Sequence, residues 1–151
     1  MAITHIALGV EMIKLLIVDD EPAVRKGLRM RLASEPEVVV VGEATSGEEA
    51  LALVETLRPD VVLMDIALPQ MDGIAATQAL RATFPQLAVI ILTIHDDKAT
   101  QARARAAGAA AFVTKRGLND ELLAAIRQMS NRSEGRKGKE GGPATQHALQ
   151  R

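Results

Sequence analysis

Asp60-Val61-Val62-Leu63-Met64-Asp65-Ile66-Ala67-Leu68-Pro69-Gln70-Met71-Asp72-Gly73 decides how the rest of the chain is read. Val61–Met64 is continuously apolar, which is how a strand reads when both faces of its sheet are covered. The run stops on an acid, Asp65. Seven residues later Asp72 is suited to cap a helix, which Phe84-Pro85 then ends.

The same unit recurs outward in both directions. Apolar runs at Leu15–Val18, Val38–Val41, Ala88–Leu92 and Ala111–Val113 alternate with helical patterns. Val24, Leu28 and Leu32 recur at i, i+4 and i+8, with Pro22 tolerated in a first turn. Ser46-Gly47-Glu48-Glu49 reads as a capping box before Ala50, Leu53, Val54 and Leu57, and Pro59 stops that helix. A fourth helix is expected from about Asp96 to Ala107, ending at Gly108. A fifth presents Leu122, Leu123, Ile126 and Met129 after a cap at Asn119 or Asp120. Strict alternation of β and α elements implies an open parallel sheet with helices on both faces, joined by right-handed crossovers.

Composition narrows the function classes. A chain of 151 residues with 48% apolar and 25% charged residues suits one globular domain. The net charge of −1 gives no reason to expect a nucleic-acid or membrane surface. Cysteine is absent, which excludes disulfides, thiolate metal sites and thiol nucleophiles. Phe84 and Phe112 are the only aromatics, so no base-stacking platform exists. No signal peptide or spanning run is visible, and a cytoplasmic location is expected. Residues 1–11 read as an N-terminal extension. From Ser130 the pattern collapses into Gly, Lys and Arg, so 131–151 is expected to be a flexible linker or tail.

In an open α/β sheet, ligands bind beyond the carboxyl ends of the strands, where strand order reverses. Strand one ends in Asp19 and Asp20, strand three in Asp65, strand four in Thr93, and strand five runs into Lys115. Two carboxylates ~5 Å apart at an effective dielectric of ~20 repel by about 3 kcal/mol, so three on one rim call for cations. Lys115 supplies one. A hard divalent ion on oxygen ligands, Mg²⁺ first among them, supplies more and accepts phosphate oxygens readily. Taken singly, each residue has a plainer role: Asp19-Asp20-Glu21 as a helix cap, Thr93 as a strand-end hydroxyl, Lys115 as a solvated lysine.

Leu16-Ile17-Val18-Asp19-Asp20-Glu21, the Asp60–Gly73 stretch, Ile90-Ile91-Leu92-Thr93 and Gly108–Lys115 together resemble the receiver domains of two-component response regulators, from about Met12 to Met129. Pro69 and Gly73, four and eight residues after Asp65, and Phe112, three before Lys115, fall where that family has them. The wording Leu92-Thr93-Ile94-His95-Asp96-Asp97 is similar to regulators of the LuxR/NarL type, which carry a C-terminal helix-turn-helix.

The resemblance implies a flavodoxin-like (βα)5 fold over 12–130 with strand order 2-1-3-4-5. It makes Asp65 the phosphoacceptor for a sensor histidine kinase. Mg²⁺ would sit on Asp20, Asp65, the Ala67 backbone carbonyl and, mainly through water, Asp19. Lys115 and Thr93 would stabilise the phosphoryl group, and Thr93 and Phe112 would switch on phosphorylation. Ala67 and His95 occupy places that tune the lifetime of the phosphorylated state.

Other classes fit less well. A haloacid-dehalogenase-type phosphatase needs a second acid two residues after its nucleophile, where this chain has Ala67. A nucleotide-binding module needs a Gly-rich loop, where this chain has Asp19-Asp20-Glu21-Pro22. A receiver that works without phosphorylation has no support, since all five residues are present. For output, a receiver piece of a DNA-binding regulator is favoured over a stand-alone regulator. DNA contact would come only through an output domain not present in this chain, and a homodimer is possible by analogy.

Overall fold

The computed structural model describes residues 12–94, 97–117 and 120–129. Strands β1 (Ile13–Val18), β2 (Val38–Ala44), β3 (Val61–Asp65), β4 (Ala88–Thr93) and β5 (Ala111–Thr114) alternate with helices α1 (Pro22–Ala33), α2 (Gly47–Leu57), α3 (Gly73–Thr83) and α4 (Lys98–Ala106). A 3₁₀ turn at Lys115–Gly117 follows β5, and residues 120–129 form the helix α5. The strands build one parallel sheet in the order β2-β1-β3-β4-β5, as the resemblance implied. The expected extension at 1–11 and tail at 131–151 lie outside the described residues.

Burial explains which runs were continuously apolar. All residues of β3 and β4 are buried, and β1 is buried except Lys14, because these strands are covered on both faces. Side chains alternate between two separate cores. Ile13, Leu15, Ile17, Leu63 and Ile90 pack with Leu28 and Leu32 of α1 and Leu122 and Ile126 of α5. Leu16, Val18, Val62, Met64 and Ile91 face Ala50 and Val54 of α2, Leu80 of α3 and Ala104 of α4. Leu53 and Leu57 are half-buried at the edge of this second core.

Strand ends differ from the apolar runs in informative ways. β2 runs past Val41 to Ala44, and its register against β1 shifts between Leu15 and Leu16, so that Leu15 pairs with Val40 and Leu16 with Gly42. As an edge strand β2 is mostly half-buried, so Glu43 is accommodated. β3 and β4 extend by one residue each, to Asp65 and Thr93.

The helix caps mostly follow expectation. Ser46 accepts from the Glu49 N–H at 3.1 Å. The reciprocal half of the box is displaced: the Glu49 carboxylate accepts from the Thr45 N–H at 2.7 Å and from the Thr45 hydroxyl at 3.0 Å, not from the Ser46 N–H. Those two bonds hold the Glu49 carboxyl below the usual carboxylate range. Asp72 caps α3 through the Ala75 N–H at 2.7 Å. Asp97 is the cap of α4, accepting from the Thr100 N–H at 3.0 Å, so the helix starts after the expected Asp96, which is not described. Gly108, at φ 105, ends the turn after α4. Asp120 is already helical and is not a cap, while Asn119 is outside the described residues.

Candidate functional site

Parallel strands all end on one rim, and four of them deliver their terminal polar residues to one cleft. Asp19 follows β1 and is 1% exposed, and Asp65 ends β3 at 4% exposed. Asp20 is exposed beside them. One carboxylate oxygen from each of the three lies within 4.8 Å of the others. Lys115 reaches in from the end of β5, its Nζ 3.1 Å from Asp19 Oδ2 and 3.1 Å from Asp65 Oδ1. Thr93, fully buried at the end of β4, completes a cleft of about 460 Å³ that Asp20, Glu21, Asp65, Ala67 and Lys115 also line.

The plainer reading of the first acids fails on geometry. Glu21 is the N-cap of α1 and its side chain makes no capping bond. Asp19 Oδ1 instead accepts from the Glu21 N–H at 2.9 Å, which turns the loop and leaves Oδ2 for Lys115. Lys115 is not a solvated lysine either, since it bridges two buried acids.

Burial, and then the charge of Asp19, push the Asp65 carboxyl above the usual range; the Lys115 charge and hydrogen bond and a backbone hydrogen bond from Ala67 offset this only in part. Burial acts to lower Lys115, but its hydrogen bond to Asp19 and the charges of Asp65 and Asp19 outweigh it and hold the ammonium above its ordinary value. One ammonium therefore faces three carboxylates. An all-oxygen cluster at this spacing, open at Asp20, fits a hard divalent cation.

The loop after β3 is folded back on itself. Gln70 adopts φ 68, and the Met71 N–H donates to the Pro69 carbonyl at 2.7 Å in a tight three-residue turn. The Gly73 N–H then donates to Ile66 O at 2.9 Å. A Cβ on Gly73 would lie 2.1 Å from the Asp65 carbonyl oxygen and 2.8 Å from Ile66 Cα, so only glycine lets α3 begin against the residue that ends β3. The resemblance to receiver domains marks Gly73; the physical reason for it is this contact.

The remaining expected residues are placed as follows. Ala67 lines the cleft, and the backbone group it brings to Asp65 is a hydrogen-bond donor. Phe112 is half-buried against the core beneath α2, α3 and α4. His95 lies outside the described residues. Two residues that the sequence did not single out also bear on the rim: Arg25, whose Nη1 donates to the Asp19 carbonyl at 2.7 Å, and Glu43, which accepts from Arg25 Nε at 3.0 Å.

Residues 15–127 match the family model of the response regulator receiver domain, and the chain belongs to that family. It is 41% identical over 118 residues to the response regulator GacA of Pseudomonas aeruginosa, covering 78% of this chain and 55% of that protein. It is 43% identical over 110 residues to the uncharacterized transcriptional regulatory protein YhcZ of Bacillus subtilis, covering 73% of this chain and 51% of that one. The chain spans about half the length of the curated relatives it matches.

Among solved structures, a LuxR-family response regulator from Aurantimonas superposes with a TM-score of 0.75 at 33% identity, over 80% of this chain and 87% of the other. The response regulator domain of Thermotoga maritima CheB gives 0.75 at 34%, over 80% and 98%. The domain is thus a receiver domain of the response-regulator type, similar to a two-component regulator of the LuxR family. Among the described residues no helix is long and apolar enough to cross a membrane.

Proposed function

We propose that Asp65 accepts a phosphoryl group from a phosphohistidine of a sensor histidine kinase in the cytoplasm. The observation that carries this reading is the buried carboxylate of Asp65 at the floor of an open cleft, 3.1 Å from Lys115 and beside Asp19 and Asp20. An Asp65 oxygen attacks phosphorus, the P–N bond breaks, and the imidazole takes up a proton. In-line transfer asks the protein mainly for positioning and charge neutralisation. Lys115 pairs with the phosphoryl oxygens, and the Thr93 hydroxyl donates to them. Asp19, Asp20, Asp65 and the Ala67 carbonyl would hold Mg²⁺, which when bound neutralises charge on the phosphoryl oxygens.

The new anion then draws Thr93 toward it, and Phe112 turns inward behind it. The receiver comprises 12–130, after an N-terminal extension at 1–11, and residues 131–151 serve as a flexible linker or tail. By likeness to the transcriptional regulators among the relatives, output runs through a DNA-binding domain outside this chain, with a homodimer as part of the same reading; a stand-alone receiver acting on a protein partner is the second reading.

Incubation with Mg²⁺ and acetyl phosphate is expected to add one phosphoryl group, located to Asp65 by peptide mass mapping. Label on another residue, or none, rejects the assignment. The receiver of RcsB from Salmonella enterica, 27% identical, has been solved with the phosphomimetic BeF₃⁻, and the same reagent is expected to saturate one site here. Lys115→Ala should leave Mg²⁺ affinity within a few-fold while slowing labelling about a hundredfold. Unchanged labelling in that variant removes Lys115 from the phosphoryl site.

A further inference from the structure

The acidic rim has a support that lies outside the cleft. Arg25, on the first turn of α1, donates from Nη1 to the Asp19 carbonyl oxygen at 2.7 Å and from Nε to Glu43 Oε1 at 3.0 Å. Glu43 stands near the end of β2 and is held in turn by Arg29 Nη1 on Oε2 at 2.6 Å. The Arg25 side chain is only 17% exposed, and Glu43 24%. The chain of contacts therefore runs from the edge strand, through a guanidinium, to the peptide unit that joins Asp19 to Asp20.

That peptide unit is where the rim needs fixing. Asp19 is held three ways, by its N–H on the Ala44 carbonyl at 3.0 Å, by the Glu21 N–H on Oδ1 and by Lys115 on Oδ2. Among the described residues, the exposed Asp20 has no comparable fixture of its own. The plane of the Asp19–Asp20 peptide sets where the Asp20 side chain departs from the backbone, and Arg25 grips the oxygen of that plane. Two donors in a rigid fork suit a guanidinium and not an ammonium. Glu43 aims the fork and offsets part of the positive charge that Arg25 brings near a cation site.

Building on the metal reading above, we propose that Arg25, aimed by Glu43, is a positioning residue for divalent-cation binding at Asp19, Asp20 and Asp65. It acts through the Asp19–Asp20 peptide and touches neither metal nor phosphoryl group. Outer contacts of this kind change metal affinity by about 10–100-fold when removed.

Charge and geometry predict opposite signs, and this makes the test decisive. Removing a positive side chain beside a cation site should tighten binding if only charge matters. The positioning role demands the reverse. Mg²⁺ titration of the whole chain, followed by backbone amide NMR shifts, is expected to give a dissociation constant about tenfold higher for Arg25→Met than for wild type. Arg25→Lys keeps the charge and at most one of the two bonds, and should show a rise of about threefold even if Arg25→Met folds poorly. The double variant Arg25→Met/Glu43→Gln removes the pair without changing net charge and should match Arg25→Met.

Dissociation constants at or below the wild-type value in these variants overturn the proposal, as does a fall in melting temperature with affinity unchanged. A wild-type chain that does not bind Mg²⁺ rejects the metal site itself, a result distinct from wild type binding and the variants binding equally well.

Discussion

Asp65→Asn is expected to abolish labelling by acetyl phosphate and, in the same protein, to raise the melting temperature at neutral pH. An amide oxygen is a poor nucleophile toward phosphorus, so labelling should fall to background in intact-mass measurements. The gain in stability has a separate cause. Burial and the Asp19 charge raise the Asp65 carboxyl, so ionising it is harder in the folded chain than in the unfolded one. The favourable, protonated state is fully present below the ordinary carboxylate value of about 3.9. Its benefit is lost as pH rises through the elevated folded value, so at neutral pH the ionised group is a net cost to folding.

Asparagine is never charged and escapes that cost, while Lys115 keeps Asp19 as its partner at 3.1 Å. In chelator at pH 7 the variant should melt a few degrees above wild type, and the gap should close in acid. A variant that melts below wild type under those conditions contradicts the electrostatic account of the rim. Added Mg²⁺ should narrow the gap from the other side, because wild type offers the ion three carboxylates.

Gly73→Ala should be the most damaging single methyl group in the domain. Its Cβ would meet the Asp65 backbone oxygen at 2.1 Å, and backbone on both sides of that contact is tied down, by the Gly73–Ile66 hydrogen bond on one side and by the sheet on the other. Overpacking against backbone costs about 3 kcal/mol or more, a fall of about 10 °C in melting temperature for a domain of this size. Asp65 would be displaced with it, so labelling should fall as well. Gly27→Ala is the control: its Cβ would meet nothing within 4 Å, and on an exposed helix face the change should stabilise by about 0.5–1 kcal/mol. If Gly73→Ala melts within about 2 °C of wild type, the loop after β3 is far more compliant than its hydrogen bonds imply.

Legibility followed burial. β1, β3 and β4 were visible as apolar runs because both their faces are covered, and the acids that follow β1 and end β3 were visible because a charge after such a run has few other places to be. The five residues named at the strand ends do converge on one cleft. The end of β2 was harder to read, since an edge strand tolerates Gly42 and Glu43 and its register slips by one residue there.

Contacts that depend on register escaped altogether. The Asp60 carboxylate accepts from the Lys14 N–H at 2.8 Å across 46 positions, and Arg25 meets Glu43 across 18. No periodicity encodes either pair. The displaced capping box is a smaller case of the same kind: Ser46-Gly47-Glu48-Glu49 announces a helix start, but whether Glu49 answers Ser46 or Thr45 depends on how the chain leaves β2.

The two sets of apolar side chains on either side of the sheet share no member. Among the described residues, perturbations in different compartments therefore meet mainly through the backbone of the sheet, and substitutions at Leu28 and Val54 should have nearly additive effects on stability. Phe112 and α4 belong to one compartment, and α1 and α5 to the other. A rearrangement around Phe112 can thus repack its own half while α1 keeps its hold on the opposite one, like a partition wall with one side refurbished and the other still in use.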